Sequence, residues 1–228
     1  MGGLRMRGRG WEGVVAGLWL ALAWASPANA ATAQTLVNRG NERGAPPCQS
    51  CHGAGGRGQA AAGFPRLAGL DAGYLRRQLD DYAKGTRSNA VMQPIAQALS
   101  PDERDGVAMY YARLPVPVKA MVTKPADGPG ADARGATLAT RGRWSAQVPA
   151  CEQCHGPGGV GVGANFPPLA GQPAAYIEAQ LKAWQQGTRR NDPLGLMQHL
   201  SRALSAQDIA AVAQWFAAQS PVGRSVGK

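Results

Sequence analysis

The sequence is short of the side chains that most often bind metals or attack substrates. It holds only four cysteines and three histidines in 228 residues. All four cysteines lie in two short runs, at 48–51 and 151–154. None is left over for a further thiolate ligand, and none lies near the N-terminal segment, which excludes an anchor made by a lipid-modified cysteine. Any function that depends on cysteine therefore belongs to those two runs.

A long apolar run is also lacking. The N-terminal apolar stretch, residues 14–25, is too short to span a bilayer comfortably. It follows arginines at positions 5, 7 and 9 and is closed by Ala28-Asn29-Ala30. A basic start, a short apolar run and a small-x-small ending are typical of an export signal. We predict that residues 1–30 are a signal peptide cleaved after Ala30 and that the mature protein is periplasmic. An uncleaved N-terminal anchor is the alternative.

Acidic residues are few, 14 against 24 lysines and arginines, which gives a formal charge of +10. Removal of residues 1–30 takes away three arginines and Glu12 and lowers this charge to +8. A basic surface favours acidic redox partners or, at most, peripheral contact with anionic lipid; a merely solvated exterior is the other interpretation. No basic helix or cluster of aromatic and basic residues stands out, so we expect no nucleic-acid binding.

Each cysteine run is followed directly by a histidine. The first reads Cys-Gln-Ser-Cys-His at 48–52 and the second Cys-Glu-Gln-Cys-His at 151–155. C-x-x-C-H is the attachment signature of c-type haem, and positions i and i+3 of a helical turn lie on one face. A redox disulfide does not require the histidine, and a Cys₄ zinc site would leave both histidines without a role. A structural disulfide within C-x-x-C would close a very small loop and add little stability. We therefore predict two haem c groups, bound covalently through Cys48, Cys51, Cys151 and Cys154, with His52 and His155 on the irons.

The two halves of the chain resemble each other well beyond these motifs. Phe-Pro-Arg-Leu-Ala-Gly at 64–69 matches Phe-Pro-Pro-Leu-Ala-Gly at 166–171, and Gly-Thr-Arg at 85–87 matches the same letters at 187–189. A period near one hundred residues indicates duplication of a whole domain rather than a solenoid. We predict domains at 31–114 and 133–228. Residues 115–132, with four prolines, form the predicted linker.

Helical periodicity recurs in both halves, and neither half contains a convincing strand. Residues 71–84 and 173–186 carry apolar side chains at helical spacing, and shorter helices are expected at 32–42 and 133–142. Ser100 and Ser205 have the pattern of N-caps, the second with a weaker match. These features predict an all-α chain of two tandem domains, each wrapped around one haem.

A second axial ligand is sought among the remaining methionines and His199. Met92 and Met197 occupy equivalent places in the two repeats, whereas Met109 falls inside a predicted helix and Met121 in the linker. A thioether favours ferrous iron and raises the reduction potential. We predict Met92 and Met197 as ligands; core filling is the ordinary role of a lone methionine. His199 would lower the potential if it replaced Met197, but its counterpart in the first repeat is a proline.

Other residues are expected around the porphyrins. The carbonyl groups of Pro65 and Pro167 are candidates to accept a hydrogen bond from the Nδ1–H of each haem-binding histidine, although a rigid turn would explain both prolines. Haem propionates are candidate partners for four further matched side chains: Arg87, Arg189, Tyr74 and Tyr176. Ordinary exposed arginines are the other interpretation.

Together, the paired C-x-x-C-H-G and F-P-x-L-A-G segments, the G-T-R segments and the matched methionines resemble the dihaem cytochrome c4 family, tandem arrays of class I cytochrome c domains. The resemblance covers essentially the whole mature chain. It implies an all-α, two-domain periplasmic electron carrier in which His52 with Met92 ligates one iron and His155 with Met197 the other. The sequence departs from the family's pattern by three extra residues before Met197 and by a loosely matched N-terminal helix in the first domain.

The expected function is single-electron transfer between periplasmic or membrane-bound partners of a respiratory chain, with no catalytic residue. Candidate partners are a cytochrome oxidase, a cytochrome bc1-type complex or a periplasmic dehydrogenase. An electron-accepting subunit of a dehydrogenase or oxidase complex is the alternative. A dihaem enzyme, such as a peroxidase or a thiosulfate dehydrogenase, is less favoured because it needs a vacant or differently ligated haem.

Overall fold

The computed structural model describes residues 27–117 and 131–221, together with the isolated Gly2. Over these residues the chain forms ten α-helices and four short 3-10 turns, with no strand longer than an isolated bridge. None of the helices in this part of the chain is long and apolar enough to cross a membrane. The predicted all-α fold is confirmed. Most of the predicted signal peptide lies outside the described residues, as do residues 118–130 of the linker predicted at 115–132.

Each domain contributes five helices in the same order. The N-terminal domain contains α1 (Pro27–Arg39), α2 (Cys48–His52), α3 (Ala72–Lys84), α4 (Met92–Gln97) and α5 (Pro101–Arg113). The C-terminal domain contains α6 (Ala131–Thr140), α7 (Glu152–His155), α8 (Ala174–Gln186), α9 (Leu196–Arg202) and α10 (Ala206–Ala218). The haem motifs therefore occupy α2 and α7, and the matched methionines lie in the first turns of α4 and α9.

The first helix of each domain is placed differently from the prediction. Helix α1 begins within the predicted signal segment and ends at Arg39, three residues before the predicted end, and α6 ends at Thr140 rather than 142. Gly40 follows α1 with φ 76°, and a Cβ there would lie 2.1 Å from the carbonyl oxygen of Ala45. Only glycine fits a left-handed backbone packed this closely against another peptide, so the chain must turn there.

Serine caps start the last helix of each domain. Ser100 accepts a hydrogen bond from the backbone of Glu103, whose carboxylate accepts from the Ser100 N–H, and Ser205 forms the same reciprocal pair with Asp208. Both predicted caps are present, and the second is as complete as the first. Asp208 is buried and also binds Arg134 and Arg143. This buried carboxylate therefore ties α6 and the segment after it to α10.

Each domain has its own apolar core, formed where α1 packs on α5 and α6 packs on α10. Tyr111 and Phe216 occupy equivalent places in the two cores and are each 1% exposed. Their rings lie against Gly56 and Gly159, where an added Cβ would come within 2.6 Å of ring carbons. These glycines, just after the haem motifs, let the loop approach the core aromatic ring directly.

The two domains meet through equivalent segments. Arg87 and Arg189 form an antiparallel bridge, extended by hydrogen bonds from Ser88 N to Thr188 O (2.8 Å) and from Arg190 N to Thr86 O (2.7 Å). The matched Gly-Thr-Arg segments therefore pair with one another across the domain boundary. The duplication has produced both the domains and the interface between them.

Candidate functional site

None of the four cysteines forms a disulfide, and each is partly buried. Cys48 and Cys51 lie on the single turn of α2, and Cys151 and Cys154 repeat this arrangement at the start of α7. Burial raises the pKa of Cys48, and burial raises the pKa of Cys151 to about 11. Unpaired thiols at i and i+3 are the groups that addition to two porphyrin vinyl groups requires, and no disulfide joins the cysteines within either motif.

The adjoining histidines are buried and held in a defined orientation. Nδ1 of His52 lies 3.0 Å from the carbonyl oxygen of Pro65, and Nδ1 of His155 lies 2.8 Å from that of Pro167. Because a carbonyl only accepts, each Nδ1 carries the proton and donates it. Burial lowers the pKa of both imidazoles, and the carbonyl contacts oppose this only partly. Each ring is therefore neutral, with the Nε2 lone pair available to a metal.

The loops after the motifs position these carbonyl groups. Gly58 N donates to His52 O at 2.7 Å, and Gly161 N donates to His155 O at 2.6 Å, so each loop folds back onto its own motif. Phe64 and Phe166 place their rings 6.4 and 6.2 Å from the histidine rings, measured between centroids. The repeated F-P-x-L-A-G segment thus supplies both an aromatic neighbour and a hydrogen-bond acceptor.

Met92 and Met197 are half-buried at the start of equivalent helices, but different residues hold them there. Asn89 Oδ1 accepts from Met92 N at 2.8 Å, whereas Asp192 Oδ2 accepts from Met197 N. The three extra residues form a turn that ends at Gly195 with φ 67° and leaves Leu194 80% exposed. The insertion is therefore accommodated at the surface, and Asp192 takes the place of Asn89 as the acceptor for the methionine N–H.

The other candidate ligands lie elsewhere. His199 is exposed on α9, and Met109 is 42% exposed on α5. Met121 lies outside the described residues. Of these side chains, none has the matched, half-buried placement that Met92 and Met197 share.

The four candidate propionate partners, Arg87, Arg189, Tyr74 and Tyr176, gather at the domain interface. Arg87 and Arg189 are 4% and 8% exposed, so neither is an ordinary surface arginine. Arg87 donates to the Tyr176 hydroxyl at 3.0 Å. Burial raises the pKa of Tyr176, but Arg87 and Arg189 outweigh it and lower that pKa below its ordinary value. The interface therefore holds two buried cations beside a polarised phenol.

Two glutamines complete this cluster, and sequence reasoning gave them no role. Gln78 Oε1 accepts from Arg87 (3.0 Å), from Arg189 (3.1 Å) and from Asn191 (2.9 Å). Gln180 Oε1 accepts from both arginines as well. Each domain thus supplies one arginine and one glutamine, and every arginine is bonded across the boundary. The sequence does contain an indication of this role, since Gln78 and Gln180 occupy equivalent positions in the two repeats.

A second interdomain contact departs from the repeat. Arg66 stands where the other repeat has Pro168, and it is 3% exposed. Its backbone N–H donates to Gln172 Oε1 at 3.0 Å, and Gln172 Nε2 donates back to Arg66 O at 2.9 Å. The guanidinium donates to the carbonyl groups of Ala68 and Ala170. Burial lowers the pKa of Arg66 to about 10. Sequence reasoning missed this contact because arginine is usually exposed.

The comparisons with known proteins cover both domains. A family model described as cytochrome c matches residues 33–114, and one described as cytochrome c oxidase, cbb3-type, subunit III matches residues 133–216. A protein of Stutzerimonas stutzeri (strain A1501) named "Thiosulfate dehydrogenase electron acceptor" is 52% identical over 86% of this chain and 90% of its own. One of the same name from Thiomonas intermedia (strain K12) is 50% identical over 87% of each.

Cytochrome c4 of Pseudomonas aeruginosa is 38% identical over 74% of this chain and 81% of its own. Reduced recombinant cytochrome c4 from Pseudomonas stutzeri superposes with a TM-score of 0.68, at 32% identity over 75% of this chain and 93% of that chain. Thiosulfate dehydrogenase (TsdBA) from Marichromatium purpuratum superposes with a TM-score of 0.76, at 42% identity over 86% of this chain. This chain spans only 41% of that longer protein.

Two C-x-x-C-H sites, each with an oriented neutral imidazole, on a duplicated helical scaffold define a dihaem c-type cytochrome. The chain belongs to the cytochrome c4 family. It binds two covalent haem c groups and works in electron transfer rather than as an enzyme, as the relatives named electron acceptor or cytochrome c4 do.

Proposed function

We propose that this chain accepts electrons from a thiosulfate dehydrogenase in the periplasm and passes them singly to a respiratory acceptor. The support comes from the two relatives named thiosulfate dehydrogenase electron acceptor, which align with almost the whole of both domains. A segment of the Marichromatium purpuratum thiosulfate dehydrogenase also shares this fold. The predicted signal peptide at residues 1–30 supports export, which covalent haem attachment also requires.

We assign His52 with Met92 to the N-terminal iron and His155 with Met197 to the C-terminal iron. Bound haem c supplies a one-electron Fe(III)/Fe(II) couple. The carbonyl groups of Pro65 and Pro167 keep each imidazole in the tautomer that presents Nε2. A methionine thioether as the second ligand would favour the reduced state and would leave no coordination position for a substrate. Two protein ligands on each iron would therefore suit a carrier rather than a thiosulfate-oxidising centre.

We also propose that Arg87 and Arg189 balance the haem propionates. Both guanidinium groups are buried, and the side-chain acceptors that the structure gives them are oxygens of neutral groups, namely Gln78, Gln180, Tyr176 and Asn191. A buried cation without a counter-charge is costly. Propionates at this interface would supply the anions and would explain why two arginines are retained there.

The electron count agrees with this partner. Oxidative joining of two thiosulfate ions through one new sulfur–sulfur bond releases two electrons. One dihaem chain takes up two, one at each iron, and no proton needs to be bound. A single dehydrogenase turnover can therefore be completed by one molecule of this protein.

The test is reduction of the haem-loaded protein followed by its optical spectrum. We expect thiosulfate alone to leave both haems oxidised, and a catalytic amount of thiosulfate dehydrogenase to reduce both. Met109→Ala, which changes an exposed methionine on α5 that is not one of the repeat-matched pair, should be reduced at the wild-type rate. Reduction by thiosulfate without the dehydrogenase would make the chain an enzyme, and no reduction in its presence would remove this partner.

A general carrier between respiratory complexes is the second candidate. The cytochrome c4 relatives favour it, as does the match of residues 133–216 to a family described as a cbb3-type oxidase subunit. This candidate predicts that reduced protein is reoxidised by membranes containing such an oxidase but is not reduced by thiosulfate dehydrogenase. Both activities together would place the protein between the two enzymes.

A further inference from the structure

One peptide group connects the N-terminal haem site to the other domain. The peptide between Pro65 and Arg66 accepts a hydrogen bond at its carbonyl oxygen from His52 Nδ1 at 3.0 Å. Its N–H donates to Gln172 Oε1, also at 3.0 Å. Gln172 belongs to the C-terminal domain and is 3% exposed. A continuous chain of hydrogen bonds therefore runs from a buried amide of one domain to the proximal imidazole of the other.

The C-terminal site has no such chain. Its equivalent peptide joins Pro167 to Pro168, and the Pro167 carbonyl accepts from His155 Nδ1 at 2.8 Å. Proline has no N–H, so nothing can donate from that peptide to a partner. The residue that corresponds to Gln172 in the first repeat is Leu70, which is buried in the N-terminal core. The connection exists once, although the scaffold is duplicated.

We propose that Gln172 is a positioning residue that lowers the reduction potential of the N-terminal haem through the Pro65–Arg66 peptide. An amide whose N–H is bonded to an acceptor has a more negative carbonyl oxygen, because hydrogen bonds in a chain polarise one another. That oxygen accepts more strongly from His52 Nδ1–H and makes the imidazole a more basic ligand. A more basic ligand stabilises ferric over ferrous iron. This inference rests on the assignment of His52 as an iron ligand.

Gln172 can be changed without moving the charge beside it. The Arg66 guanidinium is held by the carbonyl groups of Ala68 at 2.6 Å and Ala170 at 3.2 Å, neither of which involves Gln172. Gln172→Leu, which places the residue of the first repeat in the second, therefore removes the acceptor and leaves the buried cation. A shift in potential then reports the hydrogen-bond chain rather than a lost charge.

The experiment measures both haem potentials by spectroelectrochemistry in haem-loaded wild type and Gln172→Leu. We expect the one-electron equilibrium constant for reduction of the N-terminal haem to increase about threefold in Gln172→Leu. This corresponds to a rise of ~28 mV in its potential, at 59 mV per tenfold. The potential of the C-terminal haem should not change. In the reduced protein the His52 Nδ1–H proton resonance should move upfield, since its hydrogen bond weakens. Arg77→Gln is the control, because Arg77 bonds to Asn165 and Ala164 across the same boundary without touching the chain.

An equal shift in Arg77→Gln would show a general effect of loosening the interface and would overturn the proposal. So would an unchanged N-terminal potential in Gln172→Leu with intact axial spectra. Should the leucine variant not fold, Gln172→Glu keeps the acceptor oxygen and must move the His52 resonance downfield; no movement there also overturns it. Loss of the histidine-ligated spectrum in the wild type would instead contradict the ligand assignment itself.

Discussion

Arg87 and Arg189 face one another across the domain boundary as an antiparallel bridge. Each guanidinium also lies over an aromatic ring of its own domain, Tyr82 or Trp184, with its Cζ 4.5 Å from the ring centroid. Stacking of this kind stabilises a desolvated cation. The relative placement of the two haem-binding domains therefore depends on a pair of oriented, buried arginines.

The acceptors of these arginines give the first prediction. Gln78→Leu leaves buried donors of Arg87, Arg189 and Asn191 without a shared acceptor. We expect it to destabilise the haem-loaded protein by about 3 kcal/mol, because unsatisfied buried donors retain their desolvation cost. Denaturant unfolding measures this. Gln97→Leu, the same change at an exposed position on α4, is the control, and equal losses in the two variants would disprove an interface role.

The second prediction concerns the axial methionines. In Met92→Ala and Met197→Ala the affected haem should lose the weak red absorption band of thioether-ligated ferric iron. The one-electron equilibrium constant for reduction of that haem should fall by roughly tenfold or more. This corresponds to a reduction potential lower by ~59 mV or more. Optical redox titration checks both. Met109→Ala should change neither, and a band that survives in both alanine variants would reject these ligands.

The third prediction separates backbone strain from packing. Gly56→Ala combines φ 66° with a Cβ that would lie 2.6 Å from the Tyr111 ring, so we expect a loss of about 2–5 kcal/mol. Gly55→Ala shares the left-handed backbone, φ 63°, but meets nothing within 4 Å, and it should cost about 1–2 kcal/mol. Thermal unfolding of the two variants is the measurement. Equal costs would mean that contact with the ring is unimportant.

The fourth prediction concerns acid stability. Burial acting alone would raise the pKa of Asp208, but hydrogen bonds from Ser205, Arg143 and Arg134 lower it to about 2. Because the pKa is lower in the folded state, the carboxylate stabilises the protein above the unfolded value of about 3.9. That contribution is lost as pH falls from about 4 toward 2.

Asp208→Asn should therefore be less stable than the wild type at neutral pH by about 1–3 kcal/mol. Its free energy of unfolding should also fall less than that of the wild type as the pH is lowered from ~4 to ~2. Unfolding measured at several pH values tests this, with Asp102→Asn, an exposed carboxylate on α5, as the control. If the free energy of unfolding of Asp208→Asn depends on pH as that of the wild type does, Asp208 is not responsible for the loss of stability in acid.

The sequence predicted those features that depend on neighbours along the chain. The C-x-x-C-H motifs, the capped helices at Ser100 and Ser205 and the duplicated domains are all encoded within short segments or in their repetition. The ends of α1 and α6 were predicted less accurately. For α1 the reason is that the helix ends at Gly40 because of its close approach to the Ala45 carbonyl group, and a glycine in the sequence does not by itself indicate such a contact. The axial roles of Met92 and Met197 remain predictions that the variants above address.

The interface was beyond the reach of sequence patterns. Gln78 and Gln180 were visible as repeated letters, but a glutamine on a helix is ordinarily solvated. Each of them also bonds an arginine of the other domain, 111 residues away for Gln78 and 93 for Gln180. Arg66 was visible as a departure from the repeat, where the other copy has proline. Only the folded chain shows that its N–H reaches Gln172, because that contact requires the two domains to be assembled.

The acceptors around Arg87 and Arg189 are largely side-chain amides. Amides carry no ionisable proton, and at this depth dissolved ions screen little. The hydrogen bonds between these amides and the two arginines therefore persist when the pH or the ionic strength around the protein changes. An effect of pH on the contact between the domains is expected to come from the proposed haem propionates and not from these amides.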